Sequence, residues 1–455
     1  MSRVWAILLV VIVFAGSACD RTTDEMPAAA DPLNVIIIVV DTLRADHMGA
    51  FGYERSTTPF IDQYAADAVV FDRARSQAAC TFPSVNSLLT SRYPGVFLRH
   101  PKGQFGIPSG CTSIAEILQE RGYSTIAASA SHIVRATPTE YNPGAGFDRG
   151  FDTFIEGCRW RHGTCLSSMI DGELEQIEEP FFLYLHYMEP HSPYRPAKNW
   201  KYRFAATYEG YDFIREGNPN PIAEMIFNDG PELDLTDRDI GHLVDLYDEE
   251  IRFFDGVFRR LIGRLEEQGL LDRSLLVLTS DHGEEFLEHG LVKHCRGIWG
   301  TLTHVPMILW IPGVEGGRHI SSPVGNIDIV PTIVDYLGVA TDDFSFEGAS
   351  LRPLLEGRER DQRYAFADQG QYRSVDDGRY RLILDGATNS LRLFDLDADP
   401  LERQDLYSDD HPEAERLVAA LNQWLDETGQ RVRFEEALAE AKAQEEELRA
   451  LGYIE

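Results

Sequence analysis

In the stretch Asn34-Val-Ile-Ile-Ile-Val-Val40, residues 35–40 are an unbroken apolar run that ends on a carboxylate, Asp41. Its apolar residues are consecutive, not alternate. That predicts a strand buried on both faces, as at the centre of a parallel sheet. Open α/β sheets bind ligands beyond the carboxyl ends of their strands, so Asp41 stands where chemistry is expected. The pattern recurs downstream. Residues 123–129, 181–186, 274–279 and 305–311 are further strand-like runs, and 181–186 and 274–279 run into the polar residues His186 and Ser280-Asp281-His282. Helical spacing over 112–121 and 243–268 separates them, the second carrying Leu246, Ile251, Phe254, Phe258, Ile262 and Leu265. Strands alternating with helices predict an α/β fold built on a large, mostly parallel sheet flanked by helices.

Beyond about residue 365 the texture changes. Residues 379–384 and 391–396 predict an antiparallel pair and 412–427 a helix, together a small C-terminal α+β subdomain over 366–430. An Ala-, Glu-, Lys- and Leu-rich segment, 434–451, predicts a surface helix capped at Gly452. The main domain then spans 34–365. No repeat period is visible, which argues against a solenoid or propeller.

The amino terminus has the form of a targeting segment. Arg3 precedes an apolar run over 4–14, then Ala15-Gly16-Ser17-Ala18 and Cys19. The run is too short to span a bilayer and has the layout of a signal peptide. A cysteine directly after small residues resembles a bacterial lipobox. The expectation is a signal peptide over 1–18, lipidation at Cys19, a polar tether over 19–33, and an extracytoplasmic, membrane-anchored lipoprotein. Disulfides are permitted in such a compartment. Cys158 and Cys165 are the candidate pair; among Cys80, Cys111 and Cys295 no pairing is readable, and at least one stays free. The formal charge of −32 excludes nucleic acid as a partner class, and it allows carboxylates to gather around a cation.

The motifs now carry a resemblance. Residues 34–53 (NVIIIVVDTLRADHMGAFGY), 80–94 (CTFPSVNSLLTSRYP), 181–194 (FFLYLHYMEPHSPY) and 280–290 (SDHGEEFLEHG) resemble, in order, four signatures of the sulfatase branch of the alkaline-phosphatase superfamily. Weaker likeness continues at 326–338 and 379–405. The resemblance implies one divalent metal ion held by Asp41, Thr81, Asp281 and His282, with Ca2+ or Mn2+ favoured and Mg2+ or Zn2+ open. It places His191 at the transferred group, with His186 as runner-up on the substrate side. Lys293, His294 and Arg296 share the region of the family's anion-binding cation, with no choice among them. His289 and His304 are weaker candidates, and Arg44 is expected to support the Asp41 loop.

Two departures from the family pattern matter. Sulfatases proper carry Cys-x-Pro-Ser-Arg, whose cysteine becomes formylglycine; Pro83-Ser84 sets the register, so Thr81 takes the nucleophile position, Cys80 falls one place early and Val85 replaces the arginine. Thr42 stands where many members have a second aspartate. A threonine hydroxyl needs a cation to lower its pKa, and it cannot expel sulfate by collapsing to an aldehyde. The expectation is therefore an ester hydrolase or phosphotransferase leaning to phosphate esters, acting on a phosphorylated or sulfated small molecule, glycan or lipid headgroup. A true sulfuric ester hydrolase and a catalytically degenerate lipoprotein that binds anionic glycans are the alternatives.

Overall fold

A computed structural model describes residues 32–96, 106–158, 163–195, 200–205, 208, 235–341, 343–358 and 363–429. The signal peptide, Cys19, almost all of the tether and the 434–451 helix lie outside the described residues. By contact density the chain from Leu33 onward is one unit.

Eight strands form the main sheet, in the order Arg318–Ile320, Val69–Phe71, Met307–Trp310, Ser274–Thr279, Asn34–Val40, Phe181–Tyr187, Ser124–Ser129 and Thr153–Glu156. Every residue of Asn34–Val40 is buried, as a central strand requires. Its side chains alternate between two cores. Ile36, Ile38 and Val40 face the long helix Asp237–Glu267, which buries Leu246, Ile251, Phe254, Phe258, Ile262 and Leu265. Val35, Ile37 and Val39 face the opposite layer, with Val85 and Leu88 of the helix Thr81–Thr90 and Ile329 and Ile333 of the helix Ile329–Tyr336. Burying one such side chain contributes roughly 1.5–3 kcal/mol, so the two-sided burial of this strand anchors the whole sheet.

One strand runs against the rest: Met307–Trp310 pairs antiparallel with both Ser274–Thr279 and Val69–Phe71. The expected 305–311 strand thus forms, shortened and reversed. The cause is the connection. Residues 280–303 stay at the carboxyl rim, with only short elements, and no crossover helix returns the chain to the other edge. The long helix also starts earlier than its apolar spacing suggests, because Thr236 and Asp239 form a capping box ahead of the first apolar residue.

The C-terminal sheet has four antiparallel strands, Ala365–Gln369, Tyr372–Asp376, Tyr380–Asp385 and Ser390–Asp395. The pair expected from the sequence is its second half. The helix Pro412–Glu427 lays Leu417, Leu421 and Trp424 against Val375, Leu382 and Leu393. Buried Arg381 donates to Glu402, to the Ile298 carbonyl and to Thr303, and Arg75 pairs with Asp376, so this sheet is pinned to the segment beside the site.

Candidate metal centre and nucleophile site

Strand register decides which side chains meet. Val39 lies opposite His186 on one neighbour and opposite Thr279 on the other. Asp41 and Asp281 each follow by two residues, so Asp41, His186 and Asp281 project to the same face of the sheet. That face is the one covered by the helix Thr81–Thr90.

The three side chains are buried, and their ligand atoms all lie within 4.8 Å of one another. His186 Nε2 is 3.3 Å from Asp41 Oδ2, and its Nδ1 meets the Tyr184 hydroxyl at 2.9 Å. Asp41 Oδ1 and Asp281 Oδ2 are buried without a hydrogen-bond partner. Two buried carboxylates facing each other with orphaned oxygens are costly unless a cation lies between them. Burial, reinforced by the charge of Asp281, pushes the Asp41 carboxyl well above its ordinary range. Burial holds His186 down at about 4, which keeps the imidazole neutral, the form that binds metal. The donor set therefore fits a hard or borderline divalent cation.

Thr81 is the first residue of its helix, and its Oγ1 stands 3.2 Å from His282 Nε2. His282 Nδ1 bonds the Gly283 carbonyl at 2.9 Å, which turns Nε2 toward Thr81 and the carboxylates. The same nitrogen is 3.5 Å from Asp281 Oδ2 and 3.9 Å from Asp41 Oδ1. Burial pulls His282 down, but those carboxylates outweigh it and raise its pKa. The structure thus brings together Asp41, Thr81, Asp281 and His282, and adds His186. The turn itself is braced: Asn326 donates to the Ser280 carbonyl at 2.7 Å and Ser76 donates to the Asp281 carbonyl.

Thr42 has a left-handed backbone, φ 62°, rare for a β-branched residue. Three contacts impose it. Its N–H donates to Asp281 Oδ1, its hydroxyl donates to the Asp41 carbonyl, and the Tyr247 hydroxyl donates to the Thr42 carbonyl. The hydroxyl is spent on backbone, so Thr42 braces the two aspartates.

A basic group faces this cluster. The rings of His191 and His294 lie 5.0 Å apart, and His294 lies 4.5 Å from His282. Lys293 precedes His294 on the short strand Val292–Lys293, which among the described residues pairs only with Glu285–Phe286. Buried Glu284 meets His294 Nδ1 at 2.8 Å and accepts from the Tyr194 hydroxyl at 2.8 Å. Burial lowers the pKa of Lys293, and burial with the neighbouring cations lowers those of His191 and His294. Arg296 is exposed beyond the strand.

The remaining candidates lie elsewhere. His289 bridges Glu285 and the Leu401 carbonyl, stacked on Trp299. His304 meets the Asp72 carbonyl. Arg44 is buried and paired with Asp46 and Glu288, and it also donates to the Glu284 carbonyl, so it does brace the loop that follows Asp41. Sequence reasoning missed Glu284. Its only signal was a second carboxylate two residues after His282.

The disulfides are Cys80–Cys295 and Cys158–Cys165, and Cys111 is a buried free thiol. The second matches the expected pair. The first joins the residue before Thr81 to the residue after His294.

Comparison with known proteins agrees with this geometry. Residues 33–339 match the model of the Sulfatase family, and residues 288–431 match the C-terminal region of N-sulphoglucosamine sulphohydrolase. The chain belongs to the sulfatase family and is a sulfatase-family hydrolase, a class that uses a divalent metal. It is 25% identical to arylsulfatase A of Bos taurus over 450 residues, covering 87% of each chain. It is 26% identical to choline-sulfatase of Rhizobium meliloti over 247 residues, which is 51% of this chain and 47% of that one. Among solved structures it resembles the phosphonate monoester hydrolase of Agrobacterium radiobacter, with a TM-score of 0.69 and 21% identity over 88% of this chain and 96% of that one. It also resembles a protein solved with D-glucosamine-2-N,6-O-disulfate, with a TM-score of 0.72 and 18% identity over 89% and 99%. At these identities the structures establish the shared fold.

Proposed function

We propose that this protein cleaves sulfate or phosphate esters with the Thr81 hydroxyl as nucleophile, with a preference for phosphate esters. The observation that carries the reading is Thr81 Oγ1, 3.2 Å from His282 Nε2 and on the rim that presents the Asp41 and Asp281 oxygens to which no hydrogen bond is donated. Asp41, Asp281, Thr81 and an imidazole, His282 or His186, would hold the cation. Bound there, a divalent ion lowers the pKa of the hydroxyl and neutralises the two carboxylates. Two imidazoles beside two carboxylates suit Mn2+ or Zn2+ as well as Ca2+.

The chain's own groups do the rest. Thr81 Oγ1 gives its proton to His282 Nε2, 3.2 Å away, with His186 then the imidazole that would hold the cation, and forms a bond to phosphorus as the ester oxygen leaves with the bonding pair. Lys293 and the ring N–H groups of His294 and His191 stabilise the charge that spreads over the equatorial oxygens, and the leaving oxygen takes its proton from His191 or His294, whose pKa burial lowers and the charge of the bound anion raises again. Water, or an acceptor alcohol, then releases the group from Thr81. The nucleophile sits at a helix amino terminus, where unpaired backbone N–H groups favour an anion. Cys80, the alternative source of a formylglycine, has its sulfur in a disulfide.

Mass spectrometry of the peptide carrying Thr81 decides between substrates, after incubation with an aryl phosphate and, separately, an aryl sulfate. A phosphoryl mass on Thr81 supports the threonine mechanism. A formylglycine mass at Cys80 with aryl sulfate turnover would establish a true sulfuric ester hydrolase, the reading favoured by relatives named as sulfatases. The absence of both adduct and turnover with any divalent ion would leave an anion-binding lipoprotein, which need not bind the cation tightly. The natural substrate in this reading is an extracytoplasmic small molecule, glycan or lipid headgroup, met by a protein anchored through Cys19.

A further inference from the structure

We infer that the Cys80–Cys295 disulfide is a positioning device, which holds the cationic strap carrying Lys293 and His294 against the nucleophile. The inference rests on the reading of Thr81 and the strap as one anion site. The two cysteines are separated by 215 residues, and their Cα atoms lie 4.8 Å apart. One directly precedes Thr81; the other directly follows His294.

The strap needs such a tie. Its strand pairing is two residues long on each side, too short to be stable alone. Lys293 and Cys295 both have left-handed backbones, φ 67° and 72°, and neither is glycine. Such conformations persist only where the surroundings over-determine them. Three links do so here: the disulfide, the Cys295 N–H donated to the Ala79 carbonyl at 2.8 Å, and the His294–Glu284 bond.

The nucleophile's side does not depend on the tie to the same degree. Gln369 of the C-terminal sheet accepts from the Ala79 N–H at 3.2 Å and donates toward Cys80 Sγ at 3.5 Å, and Thr81 continues into a buried helix. Opening the disulfide therefore loosens the strap, which keeps the Cys295–Ala79 and His294–Glu284 hydrogen bonds but loses its covalent tie, and leaves Thr81 and the aspartates in place. Lys293 and the His294 ring would then bind the anion less well, while the carboxylate cluster keeps its metal. Cys295 is exposed, so a small dithiol reaches it. The dithiol gives two electrons, the S–S bond breaks to two thiols, and the reagent closes to its own cyclic disulfide.

The test uses the full-length, metal-loaded protein in three forms: untreated, dithiol-reduced and the double variant Cys80→Ala/Cys295→Ala. Cys158→Ala/Cys165→Ala is the control. Peptide mapping without reductant first establishes the linkage; finding Cys80 and Cys295 alkylated as free thiols overturns the inference. Inorganic phosphate affinity, bound metal, KM and kcat are then measured. The inference expects phosphate affinity to fall about tenfold or more and KM to rise by a similar factor, with bound metal unchanged, in the reduced protein and the double variant but not in the control. Unchanged phosphate affinity in the reduced protein sinks it even where the double variant fails to fold. Phosphate binding needs no turnover, so a failure of the Thr81 mechanism leaves this readout intact and is seen separately, as an absent adduct.

Discussion

Thr81 Oγ1 and His282 Nε2, 201 residues apart in sequence, face each other at 3.2 Å because the helix that begins at Thr81 covers the face onto which the Asp41 and Asp281 strands project. The Tyr184 hydroxyl also touches the cluster, but at His186 Nδ1, the ring nitrogen turned away from Asp41, whereas the Thr81 hydroxyl meets the His282 nitrogen that faces the carboxylates. Thr81→Ala is expected to lower kcat by at least 10³-fold, about 4 kcal/mol of barrier, with bound metal reduced modestly and the fold intact. Thr81→Ser keeps the hydroxyl and should retain measurable turnover. Equal activity of Thr81→Ala and the parent on an aryl phosphate would remove Thr81 from the chemistry.

Asp41 and Asp281 give a prediction of opposite signs in two states. Without metal, ionised Asp41 is opposed by burial and by Asp281, so Asp41→Asn should raise the melting temperature of the metal-free protein. With metal, the variant loses a ligand. The parent should gain about 2.7 kcal/mol of stability at a hundredfold excess of metal over its Kd, and Asp41→Asn should gain far less. Calorimetry of parent and variant, each with chelator and with Mn2+ or Ca2+, checks both halves. A variant less stable than the parent in chelator would show that Asp41 is held by something other than a cation.

Much of this was legible in the sequence. The two-sided burial of Asn34–Val40 follows from its unbroken apolar run, and with it the sheet and the rim on which Asp41 and Asp281 stand. Strand register was not legible, and register is what brings His186 beside Asp41: the sequence shows only a histidine at a strand end, read as substrate-facing. The pairing of Cys80 with Cys295 was equally hidden, since it depends on how residues 280–303 travel along the rim. The reversed strand Met307–Trp310 has the same apolar texture as its parallel neighbours, so composition could not reveal its direction. Glu284 looks like one more acidic residue in a chain of charge −32; its contacts with His294 and Tyr194 set it apart.

The lipobox-like Cys19 predicts where the protein resides. In a cell that processes lipoproteins, Cys19→Ser should move the protein from the membrane pellet to the soluble extracytoplasmic fraction without changing its turnover on a soluble aryl ester. Mass spectrometry of the mature amino terminus should show a diacylglyceryl-modified Cys19 in the parent. A mature terminus upstream of Cys19, or an unmodified one, would overturn the anchor and leave simple secretion.

Acid sensitivity follows from two buried histidines. Burial lowers His186 and His304 to about 4, against 6.5 for an exposed imidazole. The fold favours their neutral forms, so this contribution is fully present above pH 6.5 and is lost as pH falls from 6.5 toward 4. Between pH 7.5 and 5 each histidine should cost the metal-free protein about 2 kcal/mol. Asp255, raised to about 6 by burial, works in the opposite direction, so the raw pH profile is a balance of terms. Comparing variants isolates one of them. His304 can be changed because its ring meets only the Asp72 carbonyl among the hydrogen bonds seen, a bond that the Gln amide can still donate. His304→Gln should be less stable than the parent at pH 7.5, and the gap should narrow by about 2 kcal/mol at pH 5. Urea denaturation of both proteins at the two pH values measures it, and a gap that stays constant would mean that His304 titrates as it does in the unfolded chain.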